Sequence, residues 1–237
     1  MTFGSVFGRV FSPTFQPKSQ ASGYAVWWTL DGAITSCLAA YQPKGAADYV
    51  ASKVNLANPG TLNAADGAAY PTWDATNGWK FDSALTQYLT SAIKYRSNTM
   101  GQTYSMILRF SNHSAGTYLI GENGNYSCLY LRNARTGNLY FCQGISNSLL
   151  TVGGNTINSG VMALAGSKAY LNGNQLSGDI PFNTNSTETL WFSIGAAPYN
   201  KGYTGNTSTV YIQACAVYNT ALSATQIGLL TTAMAAL

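Results

Sequence analysis

A chain of 237 residues, 46% of them apolar, is long enough for one large β domain with its own core, and a charged fraction of only 8% is low for a cytosolic enzyme. The net charge of +4 arises from a shortage of acids and not from a basic run, which argues against a nucleic-acid surface. No apolar stretch approaches a membrane span, and no Lys/Arg-led apolar segment with a small-residue cleavage site opens the chain, so neither a span nor a signal peptide is expected.

The N-terminal segment reads as an arm. Phe3, Val6, Phe7, Val10 and Phe11 recur at helical spacing, but Gly4 and Gly8 weaken that pattern and Pro13 and Pro17 end it, so a helix and an extended segment both stay open. In either form Phe3, Phe7, Phe11 and Phe15 are costly to leave in water, which makes residues 1–23 a candidate anchor, packed on their own domain or into a neighbouring subunit. Residues 24–237 form the expected globular domain. Trp27 and Trp28, read as part of a strand over residues 24–34, would face opposite sides, one entering the core and the other shielded.

Further along, residues 46–54 suit a helical turn, and Tyr104 to Phe110 is a core strand by its apolar density. Thr117 to Gly121, Cys128 to Arg132 and Asn138 to Cys142 are short strands at regular spacing with Gly/Asn turns between them, the pattern of a sandwich. Val161 to Ala165 and Lys168 to Leu171 precede Asn172-Gly173, a dipeptide suited to a type I′ turn, with residues 174–177 returning. In the last strand Val210, Ile212, Ala214 and Ala216 alternate with Tyr211, Gln213, Cys215 and Val217. Ser223 and Gln226 then form a capping box, and Ile227, Leu230, Met234 and Leu237 draw one apolar stripe along a terminal helix.

The run AVYNTALSATQIGLL at the end of this strand resembles the close of a laminin-G-like, concanavalin A-like β-sandwich. Residues 37–41 with 58–63 are similar to the opening strand and turn of that family. Residues 71–74, 78–82 and 87–90 are similar to its hairpin, 168–177 to its Asn-Gly hairpin, and 189–195 to a late strand. The likeness covers residues 35–237 and implies an all-β jelly roll of two antiparallel sheets with a short C-terminal helix. It implies no single function. The Phe/Ser/Pro-rich arm resembles those on phage structural proteins, which points to a virion surface, or otherwise to an extracellular setting.

Many relatives carry acidic residues and a calcium site near the hairpin, where this chain has Ser83, Ala84, Thr86 and Gln87; with eight acids in all, calcium is disfavoured and no cofactor is expected. Cys37, Cys128, Cys142 and Cys215 show no CxxC spacing, which argues against zinc. Cys128 and Cys142 lie on strands joined by a turn, and whether they are bridged stays open. Glycoside hydrolysis needs two carboxylates on one face, and the ExDxxE strand motif of related hydrolases is missing. His113, in a polar turn, reads as solvated and lacks a partner to orient it as a base. No enzyme is expected, and no catalytic or metal-binding residue is nominated.

For binding, the Tyr/Asn/Gly loop of residues 196–206 stands out with the loop near 121–124. Tyr118, Asn123, Tyr126, Tyr199, Asn200 and Tyr203 offer ring faces to stack on sugar C–H groups and amides to bond hydroxyls, although turn chemistry alone also explains such composition. The expectation is a non-enzymatic virion structural or surface-attachment protein, a homo-oligomer docked to other virion proteins or its own subunits through the arm. The alternative is a carbohydrate-binding, lectin-like adhesion module facing host-surface glycans.

Overall fold

Val210–Tyr218 (β17) is buried along almost its whole length, because it has protein on both faces. β-branched and aromatic residues suit it to the centre of a sheet. On one flank it pairs antiparallel with Ser105–Ser111 (β6) and on the other with Gly78–Phe81 (β4) and Cys37–Tyr41 (β1). Beyond β4 lies Thr72–Asp74 (β3). Beyond β6 come Gly160–Ala165 (β11), Lys168–Leu171 (β12) and Asn174–Gln175 (β13). This is a computed structural model, and the residues it describes are 26–82, 87–95, 103–113, 117–123, 128–133, 138–144, 149–153, 157–181, 190–195, 197–199, 202–204 and 209–237.

The second sheet runs Leu149–Val152 (β10), Leu139–Gly144 (β9), Cys128–Asn133 (β8), Thr117–Asn123 (β7), Leu190–Ile194 (β14), Leu89–Tyr95 (β5) and Ala65–Asp66 (β2). All of its pairings are antiparallel. Between the sheets lies one apolar cluster that includes Trp79, Phe81, Met106, Leu108, Phe110, Phe141, Phe192 and Ile194. The protein is therefore an all-β, concanavalin A-like sandwich, as the order of the hairpins leads one to expect. The Asn172-Gly173 turn forms as its dipeptide requires, with φ of 49° and 80° at the two residues, the left-handed pair of a type I′ hairpin.

Two local readings of the sequence are corrected. The alternation of β17 does not run unbroken: Ile212 pairs with Phe110 and Ala214 with Arg109, so Gln213 is an extra residue on β17 and the strand bulges there. Val210 and Ile212 face the inter-sheet core, and after the bulge that role passes to Cys215 and Val217. Ala214, Ala216 and Tyr218 face the opposite side. The second correction concerns residues 24–34. Trp27–Ser36 is a 3₁₀ helix and not a strand. Trp27 is buried and donates its ring N–H to Gln42 Oε1 at 2.9 Å, while half-buried Trp28 meets it edge-on.

That 3₁₀ helix and the terminal helix cover the outer face of the first sheet. Tyr49–Ser52 (α1) is the single helical turn expected within residues 46–54. Ala224–Ala235 (α2) begins on the expected capping box, with Ser223 Oγ accepting from Gln226 N and Gln226 Oε1 accepting from Ser223 N. Ile227, Leu230 and Met234 are fully buried against Ala214, Ala216, Tyr218, Ile107 and Val161. Among the described residues no helix is long and apolar enough to cross a membrane. Phe3, Phe7, Phe11 and Phe15, with the whole arm of residues 1–23, lie outside the described residues.

Candidate functional site

Two places on the sandwich gather chemistry. The first is the segment after β14. Gly195, with φ of 85°, turns the chain there, and its N–H donates to Leu119 O of β7 at 2.9 Å. A side chain at this position would strike the Phe81 ring, so the turn is reserved for glycine. The chain then forms a hairpin of Ala197–Tyr199 (β15) and Gly202–Thr204 (β16), a strand pair not anticipated in a loop of Tyr, Asn and Gly. β15 lies against β7. The backbones of Tyr118 and Asn123 belong to β7, that of Tyr199 to β15 and that of Tyr203 to β16. The hairpin and the β7 segment thus sit side by side. Tyr126 and Asn200 lie outside the described residues, and the side chains of the other four do as well.

The second place is a groove of about 570 Å³ on the outer face of the first sheet, at the C-terminal end of α2. Arg109 and Ser111 of β6, the bulge residue Gln213, Gly160 and Val161 of β11 with the preceding Ser159, and Asn172 line it, and Thr231, Thr232 and Ala235 of α2 form a wall. Gln213 faces outward into the groove by alternation from the core residue Ile212, and the bulge then turns Ala214 outward as well, under the helix. Arg109 donates from Nη1 to Met234 O at 2.6 Å, capping the carbonyl end of α2 where the helix dipole is negative. Partial burial pushes the Arg109 pKa down. No signal along the sequence marked this groove, because Arg109 reads there as an isolated polar residue within a core strand.

Elsewhere the ionisable groups serve the fold. Tyr49 Oη donates to Asp66 Oδ1 at 2.5 Å, and Lys53 Nζ meets Asp66 Oδ2 at 2.8 Å while lying over the Tyr49 ring. Desolvation, followed by the bond to Asp66 and its charge, raises the Tyr49 pKa. Asp66 is pushed up by its partial burial, but the Lys53 and Tyr49 hydrogen bonds more than offset this and hold it low. Burial pushes the Cys37 thiol up to about 12 and the Cys215 thiol higher, so both stay protonated at neutral pH. These two thiols are free, whereas Cys142 is disulfide-bonded. The backbone of Cys128 lies on β8 two residues from Tyr130, the Cα partner of Cys142. Among the described residues no group of three or more His, Cys, Asp or Glu could hold a metal ion.

His113 departs from its expected solvation. It is 2% exposed, packed edge-on to Phe110, with its backbone N–H bonded to Asn158 O. Desolvation lowers its pKa to about 4. Below its unfolded value of about 6.5 the unfolded chain binds the proton more readily than the folded one, so this contribution is full above pH 6.5 and is lost as pH falls towards 4. Urea unfolding should show a stability loss of roughly 2–3 kcal/mol between pH 7 and pH 4 that His113→Gln removes. An identical pH slope in the variant would assign the loss to other groups.

A sandwich of two antiparallel sheets capped by a terminal helix is the class that fold and surface define. No family model matches the chain, and no curated protein is similar to it in sequence. Solved structures share its fold. A sialidase from Trypanosoma rangeli superposes with a TM-score of 0.58 at 14% identity, over 84% of this chain and 33% of that one. A mutant of that sialidase displaying trans-sialidase activity gives 0.56 at 15%, with the same coverage. A chain of botulinum neurotoxin type C, whose cell entry is dependent upon interaction with two ganglioside molecules, gives 0.57 at 12%, over 85% of this chain and 52% of that one. The chain thus spans a third to a half of the length of these structures, and at such identities the likeness shows the fold alone.

The expectation of a protein without catalytic activity is corrected by this likeness. The architecture is one that sialidase chains carry, so it is a fold found in enzymes. That expectation rested on carboxylates spaced along one strand, and a search along the chain is blind to groups that a fold assembles from separate segments.

Proposed function

We propose that this protein is a carbohydrate-binding, lectin-like sandwich that docks glycans at the β15–β16 hairpin beside β7. The observation that carries this reading is the Gly195 turn, whose bond to Leu119 accompanies the contact of β15, the strand of Tyr199, with β7, the strand of Tyr118 and Asn123. Tyrosine faces stack on the C–H groups of a sugar ring, and the amides of Asn123 and Asn200 bond its hydroxyls, with Tyr126 a further ring from the β7–β8 connection. The reading is supported by a neighbour of the same fold, the type C neurotoxin chain, that interacts with gangliosides. A disulfide at Cys142 suits an oxidising, extracellular or particle-surface setting.

A glycan array probed with the full chain should give binding that falls at least about tenfold on Tyr199→Ala or Tyr203→Ala, the loss expected when a stacking face is removed. A blank array, or binding untouched by both substitutions, would sink the reading. Display on a particle through Phe3, Phe7, Phe11 and Phe15 is a second element of the proposal, resting on the cost of exposing four phenylalanines. In the same experiment a chain lacking residues 1–23 keeps its glycan binding but loses its assembly with partner subunits.

A further inference from the structure

We infer that the groove at the end of α2 is a second, separate binding site, one that takes the carboxylate of an acidic sugar on Arg109. Among the described residues the lining of the groove contains one cation and no acid. The Arg109 guanidinium spends one N–H on Met234 O, and its remaining donors meet no partner among the described residues. Every ion pair among those residues joins a lysine to an aspartate, so among the described residues this arginine has no carboxylate partner. A half-buried guanidinium with spare donors and no counter-ion is a planar fork that matches a carboxylate geometrically and electrostatically.

The surroundings of Arg109 select a sugar over a bare anion. Gln213, a residue 6% exposed, lines the groove, and its side-chain amide makes no hydrogen bond to a described residue. Ser111, Ser159 and Thr232 add hydroxyls at the same opening. Thr231, on the helix wall, has a buried Oγ1 without a hydrogen-bond partner among the described residues. Hydroxyls and amides around a cation form the donor and acceptor set that a carboxylated, polyhydroxylated ring can satisfy, and the volume lies within the range of small-molecule sites.

The site stands apart from the hairpin beside β7, so the two are tested independently. Titration calorimetry on the full chain uses N-acetylneuraminic acid and D-glucuronic acid, with N-acetylglucosamine, glucose and acetate as controls. The acidic sugars should bind at least about tenfold more tightly than the neutral sugars and than acetate, the discrimination expected of charge-assisted hydrogen bonds plus hydroxyl contacts. Arg109→Lys should weaken them about tenfold, because an ammonium cannot reproduce the fork. As Arg109 also caps α2, the second variant is Ser159→Glu at the exposed rim, which leaves the cap intact and should repel the acidic sugars by a similar factor. Tyr199→Ala should change neither result. Equal affinity for acidic and neutral sugars, acetate binding as tight as the acidic sugars, or Ser159→Glu without effect would each overturn the proposal.

Discussion

Asn55→Ala is expected to destabilise the protein by roughly 2–4 kcal/mol, more than any surface substitution, because one buried amide satisfies four backbone groups. Asn55 is fully buried. Its Oδ1 accepts from Ala40 N and Ala57 N at 3.0 Å, and its Nδ2 donates to Leu38 O at 3.0 Å and Thr61 O at 2.9 Å. These bonds use both hydrogens and both lone pairs of the amide, which staple β1 to the loop that follows α1. Alanine strands all four partners, and the cavity admits water to only some of them. Asn55→Asp keeps the two acceptor bonds, loses both donor bonds and buries a charge, so it should be no more stable than alanine at pH 7. Urea denaturation measures both. A cost below about 1 kcal/mol for alanine would show that the loop rearranges to satisfy its own backbone.

Trp79→Ala should cost about 3–5 kcal/mol, by loss of the largest buried side chain of the inter-sheet core. Trp79 lies on β4 where that strand meets Ile212 of β17, packs at 6.1 Å from the Tyr41 ring, and donates its ring N–H to Ser52 Oγ at 2.8 Å. Ser52 in turn donates to Tyr49 O, so the indole links the core to the α1 turn. The substitution removes apolar area, opens a cavity and leaves the Ser52 hydroxyl without its donor. Trp79→Phe restores most of the volume but not the hydrogen bond, and should recover about half of the loss. Equal costs for Phe and Ala would mean that the hydrogen bond, and not packing, carries the effect.

The two candidate sites differ in how far they could be read from the chain. The residues of the hairpin site were recognisable as types, since tyrosines and asparagines crowd residues 196–206 and 118–126. What brings the segments side by side is the Gly195 turn and its bond to Leu119, a contact across 76 residues that composition does not encode. The groove was illegible for a different reason. Its lining is assembled from β6, β11, β17 and α2, segments distant in sequence that meet only when the first sheet forms and the terminal helix docks on it.

His113 shows the same limit in the opposite direction. Its neighbours Asn112 and Ser114 are turn residues, so a solvated imidazole is the local expectation. Packing against Phe110 and the bond to Asn158 bury it instead. The tryptophan pair is a further case. β-propensity over residues 24–34 favours a strand, yet Trp27–Ser36 docks against α2 on the outer face as a 3₁₀ helix.

By itself the sequence determined what local chemistry can determine: where strands begin and turn, the Asn172-Gly173 hairpin, the capping box at Ser223 and the apolar stripe of the last helix, and through their order the sandwich class. Each depends on residues a few positions apart, whose geometry the backbone enforces without help from the rest of the chain. Only the tertiary structure decided the phase shift at Gln213, the burial of His113, the saturated amide of Asn55 and the cap that Arg109 places on α2. These arise where distant strands share hydrogen bonds and exclude water, and that outcome is set by the packed whole and not by any one segment.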